Sequence, residues 1–397
     1  MGSPDTAIDR VRALLDRLDS EVDPREVTEL NIVLETLCYS TGRFEEGLRA
    51  AEHAVQLARR TGDYVALSRA ETGQGSQLVM LSRLVEGIDV LEDAITIPGA
   101  EKDPYNFSRA LENLSQAQLL RGNMRRSLEL TERSLSVAER IQSPWDTAMA
   151  QYSAGSALRQ SGDWERARIY LEQCDALRRS LAPSWWAIYG IIELAALCVD
   201  DGEWNRATKL IAEALNIAQQ SDHLEGVRAA ARLQARLDMW RGRPETAAMR
   251  LEPLLDRPGL VELQVTEFLP ILACAYEATG EVALAQQTID AAIQRACDVG
   301  ARLLLAESLI VRGRLSFSAN RWKDSEADFA EVIRVARAMP NPHLEARALC
   351  EWGLMCQHQA DFEHAQQRLT AALKIFERLG ANPYIARVQA ALQALPG

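Results

Sequence analysis

Residues 162–167 read Gly-Asp-Trp-Glu-Arg-Ala, and forty positions later residues 202–207 read Gly-Glu-Trp-Asn-Arg-Ala. Working outward at the same spacing, the first position of this motif is held by Gly42, Ser82, Gly122, Gly162, Gly202, Gly242, Gly280, Asn320 and Ala360, with one two-residue deletion before Gly280. All nine are small or tolerant of a turn. Five residues further on stands a second column of small side chains: Gly47, Gly87, Ser127, Ala167, Ala207, Ala247, Ala285, Ser325 and Ala365. Self-similarity at a fixed period of this length marks an array of stacked supersecondary units rather than one globular core.

The remaining columns say what the unit is. Seven residues before each turn the side chain is mostly small (Gly75, Ser115, Gly155, Ala195, Ala235, Ala273, Gly313, Gly353), and nine after it is mostly bulky (Leu91, Leu171, Ile211, Leu251, Ile289, Phe329, Leu369). Two antiparallel helices approach closely only where facing side chains are small, while bulky neighbours fill the gaps. The pattern resembles the tetratricopeptide (TPR) repeat over roughly residues 25 to 380. The period departs from the usual TPR length of about 34 residues, so each helix is longer; HEAT-like repeats reach this length but lack the small column after the turn. The resemblance implies an all-α, right-handed TPR-type α-solenoid of about nine helix-turn-helix repeats between N- and C-terminal capping helices.

Composition agrees with this reading. A solenoid grows without splitting into domains, and 47% hydrophobic residues without sustained alternation suit packed helices. The net charge of −12 argues against direct nucleic-acid binding by this segment. No apolar run reaches membrane-spanning length, so no membrane partner is expected. The seven cysteines include Cys38, Cys198 and Cys356 on one repeat column and no CxxC pair. They read as small hydrophobes in a reducing compartment, hence a cytoplasmic location. Metal binding by Cys356, His358 and His364 is the sharper alternative, opposed by a helical register that puts 356 and 358 on different faces.

Asp23-Pro24, Asp103-Pro104, Ser143-Pro144 and Pro183-Ser184 punctuate the starts of the first helices of repeats. Ile8, Val11, Leu14, Leu15 and Leu18 form one stripe of an N-terminal cap within residues 1–23, where Met1-Gly2-Ser3 reads as a tag remnant. The repeats then occupy 24–382, and a C-terminal cap opens at Pro383 within 383–397. Pro253, Pro258 and Gly259 interrupt the second helix of repeat six, and Pro270 falls inside the next helix, where it bends the axis. That irregularity is either tolerated or a hinge.

Catalytic signatures are missing: there is no P-loop, dinucleotide-binding glycine motif, HExxH or nucleophile elbow, so neither an enzyme nor a cofactor is expected. The candidate site is the concave face. In the TPR family the first helix of each repeat lines the inside, at positions thirteen, ten, six, three and two before the turn. Carried onto this chain, those positions select Tyr152, Arg159, Tyr189, Arg232, Arg236, Trp240, Glu267 and Arg314 as ligand or partner residues. Ser156, Met239, Glu277, Glu307, Phe317, Arg69, Arg109, Glu112 and Gln116 fall in the same register. Arginines beside aromatics imply a protein or peptide, or a small anionic or planar ligand, in the groove. The alternative is that arginine and glutamate simply pair across neighbouring helices. The Gly-Asp-Trp and Gly-Glu-Trp turns of long repeats also look like the C-terminal sensor arrays of LuxR-type signal-transduction ATPases, whose ATPase and helix-turn-helix this sequence lacks. That resemblance implies a sensor or regulatory module in bacterial transcription control. The competing expectation is an interaction scaffold that holds a peptide or helix in its groove.

Overall fold

A computed structural model of the chain describes residues 4–18, 22–181 and 185–396. Helix α1 (Pro4–Leu15) precedes a run of antiparallel hairpins: α2 (Pro24–Ser40) with α3 (Phe44–Thr61), α4 (Tyr64–Met80) with α5 (Leu84–Thr96), α6 (Pro104–Arg121) with α7 (Met124–Ile141), and α8 (Pro144–Ser161) with α9 (Trp164–Ser180). There follow α10 (Ala187–Asp201) with α11 (Trp204–Gln220), α12 (Leu224–Trp240) with α13 (Pro244–Leu251), and α14 (Leu263–Ala278) with α15 (Val282–Val299). The last are α16 (Arg302–Ser318) with α17 (Trp322–Ala338), α18 (Pro342–His358) with α19 (Phe362–Leu379), and a closing α20 (Asn382–Gln393). No strand occurs among the described residues, and none of their helices is long and apolar enough to cross a membrane. The expected stops hold: Asp23, Asp103 and Ser143 each cap a helix whose first residue is proline. The Met1-Gly2-Ser3 and Pro183-Ser184 readings lie outside the described residues.

All nine residues of the turn column have a left-handed backbone, from Asn320 and Ala360 at φ 59° to Gly202 at φ 93°. The columns on either side of the turn then meet. A Cβ added to Gly75 would stand 2.6 Å from Leu91, one on Gly313 2.6 Å from Phe329, and one on Gly353 2.7 Å from Leu369. The small residue seven before the turn is therefore the seat of the bulky residue nine after it. Where serine replaces alanine five after the turn, its hydroxyl finds a partner across the hairpin: Ser325 donates to the Gly313 carbonyl at 2.7 Å, and Ser127 and Ser115 share a bond of 2.9 Å. A buried hydroxyl costs little once it is bonded.

Successive first helices pack side by side on the inside, and their partners stack outside. The array curls until it meets itself, with α4 against α14, α6 against α16 and α10 against α20. Bonds between the two superhelical turns join residues 179 to 181 apart: Ser82 Oγ to the Val261 carbonyl, Asn341 Nδ2 to Gln160 Oε1, and Asn382 Nδ2 to the Asp201 carbonyl. Three glycines of the turn column sit in this seam. Gly122 lies under Met339, Gly162 under Pro342, and Gly202 under Pro383.

The irregular stretch in repeat six belongs to the same seam. α13 stops at Leu251, a 3₁₀ turn covers Glu252–Leu254, and the following segment crosses to the start of the chain. There Arg257 donates to the Gly42 carbonyl at 2.7 Å. A pair with almost no exposure, Arg228 and Glu262 at 2.9 Å, holds the segment, and Arg228 also donates to the Leu254 and Leu255 carbonyls. The stretch that carries Pro253 and Pro258 forms a strap between the first and sixth repeats. All seven cysteines are free; five are buried, Cys274 is half-buried and Cys297 exposed. No metal-binding group of three or more ligands occurs among the described residues. His358 lies against Phe317 and Trp322, and His364 against Asp361.

Candidate ligand-binding lumen

Curling the inner helices through more than one turn forms a lumen of about 560 Å³. All eight residues selected from the repeat register line it: Tyr152 and Arg159 from α8, Tyr189 from α10, Arg232, Arg236 and Trp240 from α12, Glu267 from α14 and Arg314 from α16. Ser156, Met239, Glu307, Glu112 and Gln116 also face it, whereas Arg69, Arg109, Glu277 and Phe317 do not. Arg69 is turned to Glu29 at 2.7 Å, and Phe317 packs on Trp322 and His358.

The arginines do not stand free to grip an anion. Arg159 bridges Glu193 at 3.0 Å and Asp200 at 3.1 Å; Arg236 also reaches Asp200, and Arg232 reaches Glu267. Arg314 meets Glu277 at 3.3 Å, Arg347 meets Glu307 at 3.8 Å, and Arg387 meets Glu351 at 2.7 Å. From α8 to α20 every step between neighbouring inner helices is therefore bridged by an arginine and a carboxylate. Burial opposes the charge of Asp200, but Arg236, His343 and Arg159 outweigh it and hold the carboxyl at about 2. Arg232 and Arg236, one helical turn apart, each have their own carboxylate on a different helix, α14 and α10. An arginine already paired in this way has less to offer a second anion.

The aromatic side chains make a separate wall. Tyr152 and Tyr189 stack with centroids 5.7 Å apart, and Trp240 lies edge-on to Tyr384 at 5.0 Å. Among the lumen residues not singled out from the sequence are Tyr39, Asp200, Glu225 and His343. Tyr39 and Asp200 occupy the positions three and two before their turns, so the register carried the signal. Glu225 lies seventeen before its turn and His343 seventeen before Ala360, both outside the register. Burial pushes His343 down to about 3, and its Nε2 has no hydrogen-bond partner among the described residues. His223 is likewise buried: its Nδ1 accepts from the Gly226 amide at 2.9 Å and caps α12. Gln116 Nε2, Ser153 Oγ and Gln264 Oε1, all in lumen-lining residues, also lack a partner among the described residues. Buried polar atoms are rarely left so.

No protein-family model and no curated protein matches the chain. Solved structures do. A Rap protein complexed with competence and sporulation factor superposes with a TM-score of 0.64 at 12% identity, over 90% of this chain and 99% of that one. NprR in complex with its cognate peptide NprX gives 0.56 at 15%, over 89% and 100%, and the apo quorum sensor NprR from B. thuringiensis gives 0.52 at 14%, over 88% and 99%. At such identities the likeness is one of fold. The chain is a TPR-type helical-repeat superhelix.

Proposed function

We propose that the protein is a non-catalytic regulatory binding module whose lumen takes a short peptide in extended form. The observation that carries this reading is the lumen itself, lined by side-chain donors and acceptors without partners among the described residues. A volume of about 560 Å³ falls in the range of roughly 300–1,000 Å³ typical of sites for small ligands. It suits a few extended residues, not a folded partner. Amide, hydroxyl and imidazole groups such as Gln116, Ser153, Gln264 and His343 suit the alternating N–H and C=O groups of a peptide backbone. Rap and NprR, which share the fold, are described with a bound factor and a cognate peptide respectively, and that supports the reading by analogy. Placement in a bacterial signal-transduction or transcription regulator extends both this analogy and the resemblance of the turns to LuxR-type sensor arrays.

The test is selection of random heptapeptides by display on the intact protein, with Ala229→Trp as a lumen-filling variant, since Ala229 faces the cavity. Selected peptides should bind wild type and lose about tenfold or more in affinity to Ala229→Trp, as overfilling a site demands. Peptides that bind both forms equally would place the interaction on the outer surface and refute the proposal.

A further inference from the structure

One carboxylate of the lumen stands outside the arginine ladder and inside the aromatic wall. Glu225, on the first turn of α12, accepts from Tyr189 Oη at 3.2 Å, and among the described residues no arginine or lysine forms an ion pair with it. Around it, Tyr39, Tyr152 and Tyr189 face the lumen. Tyr152 stacks on Tyr189, and Trp185 backs the group, 6.3 Å from Tyr39 and 6.1 Å from Tyr189 between ring centroids. Tyr39 comes from α2 and the others from α8, α10 and the turn before α10, so the cluster joins the first repeat to the fourth and fifth. The other lumen carboxylate without an arginine, Glu112, is turned into the hairpin, where Ser108 and Ser134 donate to it at 3.1 and 2.9 Å.

We infer that Glu225 and the tyrosines around it form a subsite for one cationic group of the bound ligand, a guanidinium or alkylammonium. Electron-rich ring faces attract a desolvated cation, and a carboxylate at the base supplies the countercharge that a buried cation requires. The neighbouring charges favour the same sign. Glu267 on α14 adds a second carboxylate nearby, and its own cation, Arg232, is already engaged with it. Burial, followed by that proximity to Glu267, pushes the Glu225 carboxyl up to about 7, against the hydrogen bonds from Tyr189 and Gln264 and the more distant positive charge of Arg228. A cation seated at Glu225 would relieve this elevation. The inference rests on reading the lumen as a peptide site, and it specifies one residue of that peptide, arginine or lysine.

The probes are n-butylguanidinium and n-butylammonium, with n-butylurea as the neutral isostere, followed by fluorescence of the Trp185 region and by NMR titration. Each cation should saturate the site with an affinity about tenfold or more above that of n-butylurea, as expected of a charge-assisted contact. Glu225→Gln, which keeps an acceptor for Tyr189, should erase the preference while the protein melts as before. Tyr152→Leu should weaken both cations with Glu225 intact, and it decides the matter if the first variant fails to fold. Equal binding of n-butylurea, no saturable binding by either cation, or an undiminished preference in Glu225→Gln would each overturn the subsite. The heptapeptide selection separates this inference from the reading it rests on. Lumen-bound peptides without enrichment of arginine or lysine would remove the subsite and keep the peptide function. Saturable binding of n-butylguanidinium with no peptide selected would do the reverse.

Discussion

Replacing Gly162 and Gly280 by alanine separates what a turn glycine does for its own hairpin from what it does for the superhelix. Both have the same backbone, φ 85° and φ 88°. An added Cβ at Gly280 meets nothing within 4 Å, whereas at Gly162 it would run into the Pro342 ring and stand 3.4 Å from Leu379. The shared conformational cost is on the order of 1–2 kcal/mol for an L-residue in the left-handed region. It sits at the low end here, since Ala360 already occupies its turn at φ 59°. Gly162→Ala adds an overpacking cost of about 1–3 kcal/mol at the contact between superhelical turns. Urea unfolding should therefore find Gly280→Ala about 1 kcal/mol less stable than wild type and Gly162→Ala about 2–4 kcal/mol less stable. The distribution of damage is the sharper readout. Hydrogen exchange in Gly162→Ala should rise both at the end of α8 and at the start of α18, although they are 180 residues apart. In Gly280→Ala it should rise only near α14 and α15. Pro342→Ala should partly rescue Gly162→Ala, with a coupling of about 1 kcal/mol between residues in contact. Equal destabilisation by the two substitutions, or loss of protection confined to α8 and α9, would refute the role given to the seam.

Arg236→Ala should lower stability by roughly 2–3 kcal/mol, less than the loss for a fully buried pair because Arg159 still holds Asp200; an unchanged melting temperature would show that the ladder is ornamental. Ala167→Leu, at a fully buried position in the column five after the turn, should cost about 1–3 kcal/mol by prising α8 from α9, with early loss of exchange protection restricted to those helices and their neighbours. Glu112 governs an alkaline limb of stability. Burial pushes its carboxyl up to about 8, so the folded state holds a proton that the unfolded chain has released. Its contribution is full below the ordinary carboxyl range and is lost as pH rises through 8, with a slope of up to about 1.4 kcal/mol per pH unit. Glu112→Gln, compared with wild type by denaturant midpoint between pH 5 and 8.5, should flatten that slope, and parallel curves would contradict the assignment.

The hairpin was legible in the sequence because its chemistry repeats. Each turn needs a left-handed residue and each close helix approach needs a small one, and both demands recur in fixed register. The connections between hairpins were legible only where an Asp-Pro or Ser-Pro pair opens the next helix, although several end in the same backbone state: Gly62, Gln142, Asp222, Gly300 and Gly380 all have positive φ, about twenty residues out of phase with the first column. Glycine, glutamine and aspartate satisfy that geometry alike when no neighbour crowds the Cβ, so the column leaves no common residue. Closure of the superhelix was hidden for a different reason. It depends on the rotation accumulated over five hairpins, and a small change in each step decides whether α6 meets α16. The traces it leaves are single residues, such as Gly162 beneath Pro342, that look like ordinary members of the turn column.

The ladder inside the lumen lies between these cases. While Arg314 and Glu277 are 37 residues apart and Arg159 and Asp200 41, its shorter separations are 34 for Arg159 and Glu193, 35 for Arg232 and Glu267, and 36 for Arg236 and Asp200 as well as Arg387 and Glu351. That is one repeat less about a helical turn. Neighbouring inner helices are parallel, and long arginine side chains lean toward the carboxylates offset along the adjoining helix. Opposite charges at this separation, recurring along the first helices of a 40-residue repeat, would have announced interhelical pairing in advance and withdrawn those arginines from the list of free ligands. What remains after the pairs are struck out is what a partner can use. In this lumen that residue of charge is negative, sits on Glu225, and faces tyrosine rings, so a ligand chosen by it should carry its own cation.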